Sequence, residues 1–143
     1  MIVRYVEIID DVFQDVKKYV LEKSKYAPKI LKTTPQEIST FPLIVVEETD
    51  DNLNDETLKY TQQKFDKTIE ISIYTIDKTV NGKTIAKEII SNELKILVND
   101  ILDNKYHLNR RSCKPTPNMD RNVYKLSIRY LCLVDENKHI YRK

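Results

Sequence analysis

The first candidates for chemistry in this sequence are four carboxylates within five residues, in the run FPLIVVEETDD: Glu47, Glu48, Asp50 and Asp51. Such a cluster is typical of a divalent-metal site, of a pair of catalytic acids, or of the solvated end of a strand. Successive strand residues point to opposite faces, so Glu47 and Glu48 are not expected to hold one ion together. Residues 50–61 also lack the glycine and the closing glutamate of a calcium loop. The pattern favours a solvated or partner-facing cluster, with a metal or catalytic site as the alternative.

Other possible sites are equally incomplete. Asn81–Thr84, NGKT, resembles the end of a phosphate-binding loop, but the position five residues before Gly82 is Asp77 rather than glycine. Gly82 is also the only glycine of the chain, whereas phosphate and dinucleotide cradles need several. The two histidines, His107 and His139, lack the spacing of a zinc site. The sequence therefore predicts no cofactor, no metal and no enzymatic activity.

The two cysteines, Cys113 and Cys132, do not form a C-x-x-C pair. Free thiols are favoured over a disulfide between them. Cys113 follows His107 by six residues, but a Cys–His dyad in a proline-rich loop is a weak candidate. Cys132 is expected to face the core of a strand as a small apolar side chain.

Opposite charges are concentrated in two stretches. Residues 47–56, the acidic segment, contain six acids and no base, whereas residues 109–129 contain six bases and one acid. In a ring, the acidic segment of one subunit would meet the basic stretch of its neighbour. Nucleic-acid binding is a rival use of the basic stretch, but specific binding is not expected, since its only aromatic residues are Tyr124 and, directly after its end, Tyr130. The candidate contact residues are Glu47, Glu48, Asp50, Asp51, Asp55, Glu56, Arg110, Arg111, Lys114 and Arg121.

Length and composition indicate one domain over residues 1–143. The chain is 41% hydrophobic and 32% charged, with a formal net charge of +2, so no global attraction to nucleic acid or membrane is expected. No apolar run approaches the ~20 residues of a membrane span. Since acids interrupt the apolar pattern of the N-terminus, no secretory signal peptide is expected there.

The hydrophobic pattern predicts two helices. The first covers about residues 3–25, with apolar residues at steps of three and four: Val6, Ile9, Phe13, Val16 and Val20. The second follows a turn at Asn81-Gly82, with Thr84 as its predicted N-cap and an apolar face extending to Leu102.

The same pattern predicts four strands. The first is LIVVEE after Pro42, and the second covers roughly residues 58–76, with a polar, acidic connection at 49–57 between them. The third, VYKLSIRYLCLV, has alternate residues expected to face the core: Leu126, Ile128, Tyr130, Cys132 and Val134. A short last strand follows in HIYRK, and the stretches 26–40 and 103–122 are expected to be loops. The prediction is an α+β fold, an antiparallel sheet packed by two helices in the order α-β-β-α-β-β.

Several separated motifs resemble those of small neck proteins from long-tailed bacteriophages and phage-tail-like bacteriocins. The resemblance covers about residues 38–143 and contains no catalytic signature. Its motifs are Phe41-Pro42, Glu47-Glu48, Glu70–Tyr74, the Ile- and Leu-rich helix Ile85–Leu102, Cys113–Asn118, Arg129-Tyr130 and Ile140–Arg142.

The family resembled is that of tail terminators, also called tail-completion or head–tail joining proteins. The resemblance implies an α+β virion structural protein that forms a hexameric ring, caps the tail tube, ends its polymerisation and docks the neck or collar. Its implied partners are the tube protein, the sheath protein of contractile tails and a neck or connector protein. Its implied location is the virion tail or neck, assembled in the host bacterial cytoplasm.

Two alternatives stay open from the sequence. One is another neck component, such as an adaptor or stopper between portal and tail. The other is a small metal-dependent enzyme or hydrolase that uses the Glu47–Asp51 cluster.

Overall fold

The computed structural model describes residues 8–53, 64–105, 108–116, 122–135 and 140–141. At positions 8, 49–53, 64–67, 109, 111, 132–135 and 140–141 it defines the backbone alone. Within these limits the chain forms two helices and eight strands, most of them antiparallel.

The first helix, α1 (Ile8–Lys23), has Asp10 and Asp11 in its first turn and Lys23 in its last, as the helix dipole favours. Its buried side chains recur at helical spacing on one face. These are Val12, Phe13, Val16 and Val20. The predicted helix is confirmed from residue 8 onward, and its expected start at residue 3 lies outside the described residues.

The second helix, α2 (Lys87–Asn104), begins without the predicted cap. Its N-cap residue is Ala86, which makes no side-chain cap hydrogen bond. Thr84 instead lies in a short strand, where its hydroxyl faces that of Thr79 at 3.3 Å. In the first turn of α2, the backbone N–H of Lys87 donates a hydrogen bond to Asp77 Oδ1 at 2.9 Å. This carboxylate, which lies outside the helix, thus satisfies one of the free N–H groups of the helix start. The prediction of Thr84 as N-cap was wrong because the turn belongs to a hairpin.

The main sheet has the strand order β1-β2-β3-β7-β6, with β8 paired to the end of β7. Its long members are β2 (Leu43–Leu53), β3 (Lys64–Thr75) and β7 (Tyr124–Asp135). They are antiparallel neighbours, and β1 (Lys29–Leu31) adds to β2 in parallel. On the far side of β7 lie β6 (Asn109–Pro115) and β8 (Ile140–Tyr141).

A separate hairpin connects β3 to α2. It consists of β4 (Lys78–Val80) and β5 (Lys83–Ile85), joined by Asn81 and Gly82. Both turn residues have positive φ, 53° and 78°, which fits a two-residue turn of the I′ type. The predicted turn is confirmed.

The α+β class with a mostly antiparallel sheet and two helices is confirmed, but the order α-β-β-α-β-β was wrong. The stretch expected to be a loop at 26–40 contains β1, and the stretch 103–122 contains β6. The predicted acidic connection at 49–57 begins too early, since β2 continues to Leu53. The second predicted strand is confirmed over Lys64–Thr75, and residues 58–63 lie outside the described part of the chain.

Both helices pack on one face of the sheet and enclose the core. Alternate strand residues on that face are buried. They include Ile44 and Val46 of β2, Ile69, Ile71 and Ile73 of β3, and Leu126, Ile128 and Tyr130 of β7. The prediction that alternate residues of β7 face the core is confirmed as far as Tyr130. At Cys132 and Val134 the structure describes the backbone but not the side chains.

The opposite face of the sheet is divided into two halves. On the β2 side, Leu43, Val45 and Tyr74 form a small second cluster with side chains that include Ile38 and Phe41. On the β7 and β6 side the face is polar. We call it the polar half-face.

Candidate interaction surface

The structure places Glu47 and Glu48 on opposite faces of the sheet. Glu47 pairs across the ladder with Glu70, whereas Glu48 pairs with Ile69, which faces the helices. Directly opposed residues share a face, so the two carboxylates diverge. The prediction that they point to opposite faces is confirmed. Glu47 Oε1 accepts a hydrogen bond from Thr34 Oγ1 at 3.0 Å.

The remaining acidic candidates follow a local irregularity in β2. The register shifts between Glu48 and Asp50, after which Asp50 pairs with Thr68 and Asp51 with Lys67. These two residues therefore continue the strand rather than forming a loop. Asp55 and Glu56 lie outside the described residues.

The basic candidates are divided by a bulge in β6. Arg110 pairs with Tyr130, a residue of the helix-packed face, and Ser112 pairs with Arg129 on the polar half-face. Residues 110 and 112 would share a face in a regular strand, but the extra residue Arg111 reverses the alternation. Lys114 pairs with Ser127 on the polar half-face and is exposed. Arg121 lies outside the described residues.

Arg110 borders an acidic pocket rather than the polar half-face. This pocket, about 360 Å³, is lined by Asn99, Asp100, Asp103, Leu108, Arg110 and Tyr130. The hydroxyl of the buried Tyr130 donates a hydrogen bond to Asn99 Oδ1. Burial raises the pKa of Tyr130 above its usual value, although the nearby Arg110 acts in the opposite direction. The acids of α2 thus provide Arg110 with negative neighbours in its own chain.

The polar half-face is built from cross-strand rows. Glu47, Glu70, Arg129 and Ser112 form one row across β2, β3, β7 and β6. Arg129 Nε donates a hydrogen bond to Glu70 Oε1 at 3.2 Å. The next row contains Val45, Ser72, Ser127 and Lys114. Beyond it, Lys125 Nζ lies 5.4 Å from the centroid of the Tyr74 ring, within cation–π distance.

Lys125 and Arg129 are two of the six bases of the basic stretch, but they were not among the predicted contact residues. Glu70 was not among them either. The available signal was the alternation of β7. Since Leu126, Ile128 and Tyr130 face the core, Lys125, Ser127 and Arg129 share the other face. No sequence signal placed Glu70 opposite Arg129, because the pairing of β3 with β7 is a long-range contact.

The helical layer contains an apolar groove. Ile89 and Ile96 of α2 and Leu21 of α1 are exposed, at 55%, 49% and 44%. A groove of about 290 Å³ between the helices is lined in part by Ile96, Leu97 and Tyr26. The Tyr26 hydroxyl is buried and has no hydrogen-bond partner among the described residues.

The other sequence candidates do not assemble into a site within the described residues. Asn81–Thr84 form a hairpin turn and the start of β5, and both histidines lie outside the description. Cys113, expected in a loop, lies in β6 as a free thiol packed against the core. No group of three or more His, Cys, Asp or Glu side chains in the described ranges is placed to hold a metal ion. None of the described helices is long and apolar enough to cross a membrane.

Comparison with known proteins gives no assignment. No protein-family model matches the chain. A search of curated proteins finds no match either.

Proposed function

We propose that this chain is a structural protein of a phage tail or of a phage-tail-like bacteriocin. In this proposal, copies of the chain form a ring that caps the tail tube, ends its polymerisation and joins it to the neck or collar. The partners are other copies of the chain, expected as a homo-hexamer, the tube protein, and the sheath or connector protein where these exist. The proposal assigns the chain no catalytic step.

The observation that carries the proposal is the position of the resemblance motifs in the fold. Glu47, Glu70 and Arg129 come from three motifs widely separated in the sequence, yet they form one cross-strand row. The row is joined by the Arg129–Glu70 hydrogen bond at 3.2 Å. Three of the seven motifs that resemble those of tail terminators therefore contribute a residue each to one continuous surface, as a contact face requires.

The shape of the sheet also supports a role in assembly. β3 has 12 residues and a length of about 40 Å, whereas α2 has 18 residues and a length of about 27 Å. Beyond Ile69, residues 64–68 of β3 continue to pair with residues 131–135 of β7. A long, paired sheet end is a suitable element for reaching a neighbouring subunit or the tube.

Elongation of the tail tube in vitro tests the proposal. Purified chain is added to growing tubes at a ratio of a few copies per tube, and tube lengths are measured by electron microscopy. The expected result is that elongation stops and that extra density caps one tube end. Unchanged elongation, with no density at the ends, would contradict the proposal.

Co-purification distinguishes the proposed role from that of an adaptor or stopper. A tail terminator is expected to bind isolated tail tubes, whereas an adaptor or stopper is expected to bind the portal. Binding to the portal alone would assign the chain to the neck and contradict the capping role.

A further inference from the structure

The polar half-face forms an open groove across β3, β7 and β6. Its volume is about 580 Å³. Hydroxyls and cations dominate its lining, which includes Ser112, Lys114, Thr116, Lys125, Ser127 and Arg129, with Glu70 on the β3 side. We call this the basic groove.

Charge in the basic groove is unbalanced. Its three cations face a single carboxylate, Glu70, which is already hydrogen-bonded to Arg129. Lys114 is exposed, and Lys125 lies over the ring of Tyr74 with its charge unmatched by any carboxylate of the groove lining. Ammonium and hydroxyl groups arranged in this way favour a ligand that carries several carboxylates or other anionic oxygens.

The chain contains a segment of complementary charge, the acidic segment at residues 47–56. Within one molecule the strand pairing separates Asp50 and Asp51 of this segment from the groove. β2 lies two strands from β7 and three from β6, or roughly 10–14 Å across the sheet. Asp50 and Asp51 also lie past the Glu47–Glu70–Arg129 row, on the side away from Lys114 and Lys125. Glu47 therefore lies beside the groove residue Glu70, whereas Asp50 and Asp51 are held at a distance from the basic groove of their own chain.

We propose that the basic groove of one copy binds the acidic segment of a second copy. The contact joins two different surfaces, so it is head-to-tail and closes only under rotational symmetry. This inference rests on the proposed ring and identifies the surfaces that hold its subunits together. It keeps the predicted contact Lys114 and adds Lys125 and Arg129. It leaves out Arg110, which shares a pocket with Asp100 and Asp103 of α2.

The test is a charge swap, with self-association measured by light scattering and sedimentation at low and high salt. The variants are Lys114→Glu with Lys125→Glu (the groove variant), Asp50→Lys with Asp51→Lys (the segment variant), and all four changes in one chain. Arg110→Glu is the matched control, since it reverses a nearby charge outside the groove. Thermal unfolding of each variant verifies that it is folded.

We expect the wild-type chain to associate at low salt and to dissociate as salt is added, because the contact is electrostatic. The groove variant and the segment variant should each associate only at a protein concentration about tenfold or more above that of the wild-type chain. The four-change chain should recover most of the association, and Arg110→Glu should behave like the wild type.

Two results would overturn the inference. One is a wild-type chain that stays monomeric at high concentration and low salt. The other is undiminished association of the folded groove variant. If that variant also loses binding to a single-stranded oligonucleotide, the groove is assigned to nucleic acid instead.

Failure of this inference is distinguishable from failure of the proposed function. A groove variant that associates and still caps tubes would leave the ring intact and place its contact elsewhere. Salt-sensitive association through the groove, combined with tubes that are never capped, would leave the contact intact and contradict the capping role.

Discussion

At the scale of single residues, two buried tyrosines differ in how their hydroxyls are satisfied. The Tyr130 hydroxyl donates to Asn99, whereas the Tyr26 hydroxyl is buried without a partner in the described structure. A buried hydroxyl contributes to stability when it is hydrogen-bonded and costs desolvation when it is not. The two residues therefore form a matched pair for substitution.

Tyr130→Phe is expected to lower the free energy of unfolding by about 1 kcal/mol, because it removes the hydrogen bond and leaves Asn99 without its donor. Tyr26→Phe is the control and is expected to be neutral or slightly stabilising. Urea denaturation of both variants measures the difference. An equal loss of unfolding free energy in both variants, or a larger loss for Tyr26→Phe, would contradict the assignment of the hydrogen bond to Tyr130 alone.

The same Tyr26 gives a prediction for alkaline pH. Burial, together with the negative charge of the nearby Glu93 carboxylate, raises the pKa of Tyr26 to about 12, whereas an unfolded tyrosine titrates near pH 10. The Tyr26 hydroxyl therefore stays protonated to a higher pH in the folded state than in the unfolded state. The stabilisation that results is fully present below pH ~10 and is lost as the pH rises toward 12. Tyr26→Phe should reduce the fall in stability over this interval. An identical pH slope in wild type and variant would refute the shift.

At the scale of elements, the β4–β5 hairpin depends on the backbone of its turn. Gly82 has a φ of +78°, and a Cβ added there would meet no atom within 4 Å. Gly82→Ala is therefore expected to cost about 1 kcal/mol through backbone strain alone, without a steric clash. Lys83→Ala, at the exposed neighbouring position, is the control. Thermal or urea unfolding measures both, and equal stability of the two variants would contradict a left-handed requirement at residue 82.

The long elements were predictable from sequence because each repeats its pattern many times. The alternation of Ile69, Ile71 and Ile73 identified β3, and the alternation through Leu126, Ile128 and Tyr130 identified β7. The short strands were not predictable in the same way, since three residues of β1, β4 or β5 show no period. β6 was taken for a loop because it is an edge strand, and its Arg, Lys and Pro residues are those that protect edges from pairing.

The candidate surface was predictable in part for the same reason. Strand alternation correctly separated Glu47 from Glu48. The separation of Arg110 from Lys114 depends on the bulge at Arg111, which one sequence does not reveal. The row that joins Glu47, Glu70 and Arg129 depends on pairings between distant segments, and these follow only from the assembled sheet.

At the scale of the whole molecule, the two faces of the sheet differ in what covers them. The helix-packed face buries the apolar residues of β2, β3 and β7. The opposite face carries the small apolar cluster near β2 and the basic groove near β6. The described residues of the acidic segment extend past the groove along β2, so one subunit presents complementary surfaces at separate places. This arrangement is compatible with a repeated head-to-tail assembly, as the proposed ring requires.

The proposed capping role is tested most directly by electron micrographs of tails assembled without this chain. Tail length is measured in particles from a deletion strain and compared with the same strain complemented by the wild-type chain. Overlong tubes without a cap, restored to uniform length by complementation, are the result that the account predicts. Tails of normal, uniform length in the absence of the chain would contradict it.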